Sequence, residues 1–192
     1  MTGTPKILVF AGTARSGGPA ARLAALAAKE LAVAGADVTN ISFADYPMPF
    51  CDADADDDAS VPDSATRLAR LIAAHDGVFI ATPESNGGLP PLLKNALDWV
   101  SRVGHTGTVR YRNRVYAIAG ASFDAGGGGR ALSDLRGALA AAVAGIVVPE
   151  TIEIALAGNA FSEAGELIDE SPAQQLKALA RRLVDLAGRL AG

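Results

Sequence analysis

Short apolar runs alternate with helical periodicities along this chain, five times over. Lys6-Ile7-Leu8-Val9-Phe10-Ala11 is continuous and apolar up to Gly12, as expected of a strand buried on both faces. Pro19 to Ala34 then sets Leu23, Leu26, Ala27 and Leu31 along one side, which predicts a helix stopped by Gly35. The same reading predicts strands over Asp37 to Phe43, Val78 to Ala81 and Val115 to Ala121, with a fifth beginning at Ile146-Val147-Val148. Helices are expected over Pro62 to His75, Leu92 to Val103, Arg130 to Ala144 and Ser171 to Leu190. Pro47 to Ser60, punctuated by proline and acids, reads as loop.

Strands this short and apolar, each followed by a helix, call for parallel pairing with right-handed crossovers. The expected fold is therefore α/β: a flavodoxin-like, doubly wound, five-stranded parallel sheet in the order 2-1-3-4-5. Helices cover both faces, and residues 1–192 form a single domain. Ligands of such sheets sit beyond the carboxyl ends of the strands, at the switch between strands 1 and 3. Three glycine-rich loops follow strands 1, 3 and 4 and so converge there: Gly12 to Gly18, Pro83 to Gly88, and Ser122 to Gly129.

The first loop has the makings of a phosphate cradle. Its small residues let amides turn inward, a helix N-terminus follows, and Arg15 adds positive charge. It lacks the Lys-Ser/Thr pair of a P-loop and the glycine spacing of a dinucleotide fingerprint. The second loop offers Ser85, Asn86 and exposed backbone to the edge of a flat heterocycle; the same residues also suit capping of the next helix. Glu84 is a candidate general base, with no partner at a telling spacing.

Composition narrows the alternatives. The chain has 192 residues and a formal net charge of −4 with scattered basic residues, which argues against nucleic acid as partner. Cys51 is the single cysteine, so neither an intramolecular disulfide nor a cysteine metal cluster is available. No run approaches the roughly 18–20 apolar residues of a membrane span, and MTGTPKILVF lacks the pattern of a signal peptide. The expectation is a soluble cytoplasmic protein with no membrane partner.

Weaker features are read as structural. The acids from Asp52 to Asp58 lack the Gly and Glu positions of an EF-hand loop. A phospho-acceptor receiver needs acids at the end of strand 1, where Ala11-Gly12-Thr13 stands. His75 is expected to end a helix, His105 to lie in a surface loop, and Trp99 to serve core or subunit contact.

Leu93-Lys94-Asn95-Ala96-Leu97-Asp98-Trp99-Val100-Ser101-Arg102, preceded by Pro83-Glu84-Ser85-Asn86, resembles the signature of the NADPH-dependent FMN reductases. That family includes chromate and quinone reductases. The loops from Gly12 and from Ser122 are similar to its phosphate loop and its third, glycine-rich flavin loop. The resemblance implies noncovalent FMN and a hydride passed from NADPH or NADH to a small acceptor such as a quinone, flavin or chromate. It implies that Thr13, Arg15 and the amides of Ser16, Gly17 and Gly18 hold the phosphate. Pro83, Glu84, Ser85, Asn86 and Gly87 would line the isoalloxazine, with Ser122 and Gly126 at its pyrimidine end. No catalytic side chain is implied, because the flavin carries the redox chemistry. A homodimer or homotetramer paired through the helix at Leu92 to Arg102 is also implied. Gly18, Ala20 and Ser85 stand where the family usually has Ser, Asn and Tyr. A flavodoxin-like electron carrier or sensor is the alternative; the modest charge, and loops without aromatics other than Phe123, favour the enzyme.

Overall fold

Five short segments pair side by side: β1 (Lys6–Ala11), β2 (Asp37–Ile41), β3 (Gly77–Thr82), β4 (Val115–Ala121) and β5 (Ile146–Ile154). All pairings are parallel, and the order is β2-β1-β3-β4-β5. The computed structural model describes residues 3–52, 61–111 and 113–191. Five helices connect and close the sheet: α1 (Pro19–Val33), α2 (Asp63–Ala74), α3 (Pro91–His105), α4 (Gly129–Val143) and α5 (Glu170–Leu190).

Side chains alternate across each strand, so the sheet carries two cores. Ile7, Val9 and Ala11 face α1 and α5, packing with Leu23, Leu31, Leu179 and Leu183. Leu8 and Phe10 face α2, α3 and α4, packing with Leu68, Ile72, Leu97 and Leu135. Each fully buried large apolar side chain contributes about 1.5–3 kcal/mol, which explains strands that read as unbroken apolar runs. The expected topology is the observed one.

Two strand ends differ from the reading of the sequence. β2 stops at Ile41 because the Ser42 hydroxyl accepts from the Ala44 amide at 3.3 Å and starts a short 3-10 turn, Phe43–Asp45. β5 runs on through Pro149 to Ile154 with a bulge: Tyr116 pairs with Val147, whereas Ile118 pairs with Thr151. An edge strand tolerates that proline. Arg136 fastens the bulge, donating to the carbonyls of Val147, Val148 and Pro149.

His75 caps the C-terminal end of α2, buried as a structural residue. Its Nδ1 lies 2.7 Å from the Leu71 carbonyl and must donate there; Nε2 meets the Thr39 hydroxyl at 2.9 Å. His105 is the last residue of α3 rather than a loop residue, because the helix runs two residues past the expected end at Val103, and it is exposed. The acidic stretch considered for calcium lies almost wholly outside the described residues, beyond Asp52. Near the opposite end of β4 from the glycine loops, the fully buried Tyr116 hydroxyl has no partner among the described residues. Burial, reinforced by Tyr111 and opposed by Arg114, drives its pKa far above the ordinary tyrosine value. No helix among the described residues is long and apolar enough to cross a membrane.

Candidate functional site

The loops after β1, β3 and β4 meet at the carboxyl edge of the sheet, around a cavity of about 520 Å³. That volume lies within the range of ordinary small-molecule sites. Of the residues expected there, Thr13, Arg15, Gly18, Pro83, Glu84 and Ser122 line it. Ser16 and Gly17 instead face a second cavity of about 270 Å³, which the first loop shares with Asn40 and Ser42 at the end of β2. Ser85, Asn86, Gly87 and Gly126 line neither of the two.

The first loop presents free donors. Gly12 begins it, pressed so closely on α3 that a Cβ would stand 2.5 Å from Leu93 Cδ2. Gly17 turns the chain in the left-handed region at φ 69°. Helix α1 then opens on Gly18 and Pro19 with no side-chain cap and no acid in its first turn. Its first internal bond runs from the Arg22 amide to the Gly18 carbonyl. Among the described residues, the amides of Ser16, Gly17, Gly18, Ala20 and Ala21 donate to no protein acceptor. An uncapped helix start with a neighbouring guanidinium is suited to an anion.

The second loop is a tight hairpin. Ser85 and Gly88 exchange both backbone hydrogen bonds, at 3.0 and 3.1 Å, across Asn86 and Gly87, both in left-handed conformation. Asn-Gly is the pair that such a two-residue turn favours. Two carboxylates pin it to α4. Glu84 accepts from the Arg130 amide at 3.2 Å and lies 3.6 Å from its guanidinium, while Asp134 accepts from the Leu89 amide at 3.1 Å. Glu84 is therefore tied to a helix start, which its sequence neighbourhood did not reveal. The Ser85 hydroxyl makes no hydrogen bond among the described residues.

The third loop is latched from within. Asp124 accepts from the Ser122 hydroxyl and the Gly126 amide, each at 2.8 Å. The Ser122 bond first, then the Gly126 amide, holds this carboxyl below the ordinary aspartate range. The latch thus stays ionised further into acid than a free aspartate would. Gly126 also accepts from the Gly129 amide, so both of its backbone groups are spent inside the loop and it serves shape rather than contact. A loop after β5 supports the assembly from behind: the amides of Leu156 and Ala157 donate to Asp124 and Ser122 carbonyls, each at 2.9 Å. Phe123 and Asp124 themselves line the cavity, as do Pro19, Ala20 and Ala121. The first pair lay inside the glycine-rich stretch singled out in the sequence; the loop after β5 carried no signal.

The signature helix does something the motif alone could not disclose. Asn95, Trp99 and Arg102 fall on one side of α3 and hold the segment after β2. Asn95 Nδ2 and Trp99 Nε1 donate to the Pro49 carbonyl at 2.9 and 2.8 Å. Asn95 Oδ1 accepts from the Cys51 amide at 2.7 Å, and Arg102 donates to the Asp52 carbonyl at 3.0 Å. Trp99 is buried by this arrangement, a core residue.

The family model described as NADPH-dependent FMN reductase matches residues 5–158, from β1 through β5 and every loop just described. The chain belongs to this family. Among its relatives, the NADH:(hydroxy)cinnamate reductase subunit CrdA of Vibrio ruber is 36% identical over 133 residues, covering 68% of this chain and 63% of that protein. A 2-hydroxy-1,4-benzoquinone reductase from a Burkholderia species is 42% identical over 85 residues, or 44% and 45% of the two chains. The matched stretches thus span less than two thirds of either relative. In structure, the chain is similar to the flavoenzyme FerB from Paracoccus denitrificans, with a TM-score of 0.74 at 22% identity over 97% and 98% of the chains; at that identity the likeness shows the fold. The cavity fits FMN on its own terms: the free amides of Gly18 and Ala20 together with Arg15 suit a phosphate, and Pro83 and Ala121 give apolar wall for a flat ring.

Proposed function

We propose that this protein is a cytoplasmic NAD(P)H-dependent reductase that uses noncovalently held FMN to pass a hydride to a small acceptor: a quinone, a flavin or chromate. Bound FMN supplies the redox chemistry, and the chain supplies position and electrostatics. Arg15, the Thr13 side chain and the free amides of Ser16, Gly17 and Gly18 receive the phosphate, where the two cavities meet along Thr13 and Arg15. Pro83, Glu84 and the hairpin at Ser85 to Gly87 run along the isoalloxazine, with Ser122 toward its pyrimidine end. Gly126 shapes that last loop. The observation that carries the reading is one cavity shared by an uncapped, donor-rich helix start and the apolar walls of Pro83 and Ala121. Family membership favours this enzyme over an electron carrier or sensor.

Purified protein mixed with FMN is expected to keep flavin absorbance through a sizing column. Arg15→Ala removes a charge-assisted hydrogen bond and is expected to weaken FMN about tenfold by fluorescence titration. Equal affinity in the two proteins would refute the phosphate assignment.

We propose further that the protein pairs as a homodimer, alone or doubled into a tetramer, through the outer face of α3. Trp99 points inward, so the contact rests on Leu92, 37% exposed, and on the exposed Lys94–Asp98 ion pair. An isologous contact sets each helix against its own copy. Sedimentation at micromolar concentration is expected to give twice or four times the chain mass; a monomer would overturn this.

A further inference from the structure

Phe123 carries a large aromatic ring that belongs to neither buried core. It lines the main cavity and is 60% exposed. One edge of the ring rests on Gly158, where a Cβ would stand 3.4 Å from Cδ1 and Cε1. The guanidinium of Arg15 lies over the ring, 5.8 Å from its centroid. Beside it, Leu156 is 65% exposed and held at φ 48°, a backbone region that leucine rarely occupies. The Leu156 amide donates to the carbonyl of Asp124, the residue next to Phe123. A strained, exposed leucine is thus tied by its backbone to the loop that carries the exposed aromatic, and strained residues gather at functional sites.

Resting on the flavin reading above, we propose that Phe123 is the platform on which the flat aromatic ring of the acceptor stacks, and that Arg15 is its cover. Arg15 has two competing partners. A cation–π contact at an exposed site is weaker than a charge-assisted hydrogen bond to phosphate. Engagement of a phosphate by Arg15 therefore draws the guanidinium off the ring and opens its face. Phosphate recognition and acceptor recognition are coupled through one side chain, and flat aromatic acceptors are selected over saturated ones of equal size. The acceptor class that follows is a quinone-like ring, with chromate excluded from this contact because it has no face to stack.

Two measurements test this without turnover. In protein labelled with ¹⁵N-arginine and free of FMN, the Arg15 Nε–H resonance is expected to carry a ring-current shift. Adding inorganic phosphate or FMN is expected to remove that shift, as is Phe123→Leu. An Arg15 signal indifferent to all three overturns the cover. In the FMN-loaded protein, NMR titration with coumarin, which is flat and is not a quinone, is compared with cyclohexanol. Phe123→Leu is expected to weaken coumarin about three- to tenfold while leaving cyclohexanol unchanged, and Phe123→Tyr to match the wild type. Unchanged coumarin binding in the leucine variant overturns the platform. FMN retention by wild type and both variants is measured first on the sizing column. Its loss in the wild type refutes the flavin reading, and the coumarin comparison, repeated with inorganic phosphate in place of FMN, still decides the platform.

Discussion

Asn95→Leu is expected to destabilise the protein by about 2 kcal/mol and to loosen the segment around Cys51. Asn95 is the hinge pin of that segment, donating to the Pro49 carbonyl and accepting from the Cys51 amide. Leucine leaves the Cys51 amide unpaired, whereas Pro49 keeps its bond from Trp99. A partly buried donor left without a partner costs about 1–3 kcal/mol, and the lost bond itself roughly another 1. Water reaching the half-buried site offsets part of that sum. Urea denaturation should therefore show a lower midpoint at an unchanged m value. Cys51 provides a second readout. Burial holds its thiol above the ordinary cysteine pKa, with Arg102 pulling the other way, so the native thiol is protonated and slow to alkylate. Once the segment is loosened, desolvation is relieved, the pKa falls back and alkylation accelerates. Stability within 0.5 kcal/mol of wild type, a spread usual for neutral surface changes, together with an unchanged alkylation rate would show that Asn95 does not hold the segment.

That clamp also marks where sequence reasoning stops. The ten-residue run from Leu93 to Arg102 is conspicuous, yet the partners of Asn95 lie 44 and 46 positions away. Nothing local distinguishes a residue that holds a distant loop from one that touches a ligand. The inner strands β1, β3 and β4 were legible for the opposite reason: burial on both faces imposes apolar or small residues almost throughout, a signal that lies wholly within each segment. The order 2-1-3-4-5 followed from alternation and handedness, and with it the edge at which the loops meet. β5 was legible only to Val148. Beyond it, Pro149-Glu150-Thr151 breaks the pattern, and the strand survives because Arg136, on a neighbouring helix, satisfies the bulged carbonyls. In the site, residue types pointed to the right loops but not to their divided labour. Ser16 and Gly17 face the second cavity, the hairpin lies outside the main one, and Gly126 is consumed by the latch around Asp124.

Gly120→Ala is expected to be the most damaging single methyl in the molecule. Gly120 lies in β4 directly beneath the third loop, and a Cβ there would stand 2.5 Å from the Gly127 carbonyl oxygen and 3.3 Å from Gly128 Cα. Both obstacles are backbone. They have no room to retreat, because a Cβ on Gly127 would itself lie 3.0 Å from Glu153 Cβ in β5. The glycines after Asp124 are thus wedged between two strands, and their spacing sets the height of the loop above the sheet. Overpacking at such a point costs about 3 kcal/mol, the upper end of its usual range. The loop relieves the clash only by lifting, which carries Ser122, Phe123 and Asp124 away from the cavity they line. FMN affinity is therefore expected to fall about tenfold or more alongside the loss of stability, since each withdrawn contact worth about 1.4 kcal/mol of binding is a factor of ten. Gly137→Ala is the control. It sits in α4, where a Cβ meets nothing within 4 Å, and helix propensity predicts a gain of about 0.5–1 kcal/mol. Thermal melts and FMN titrations of both variants decide the matter. If Gly120→Ala melts with the wild type and binds FMN as well, the glycine run is not the spacer that shapes this site.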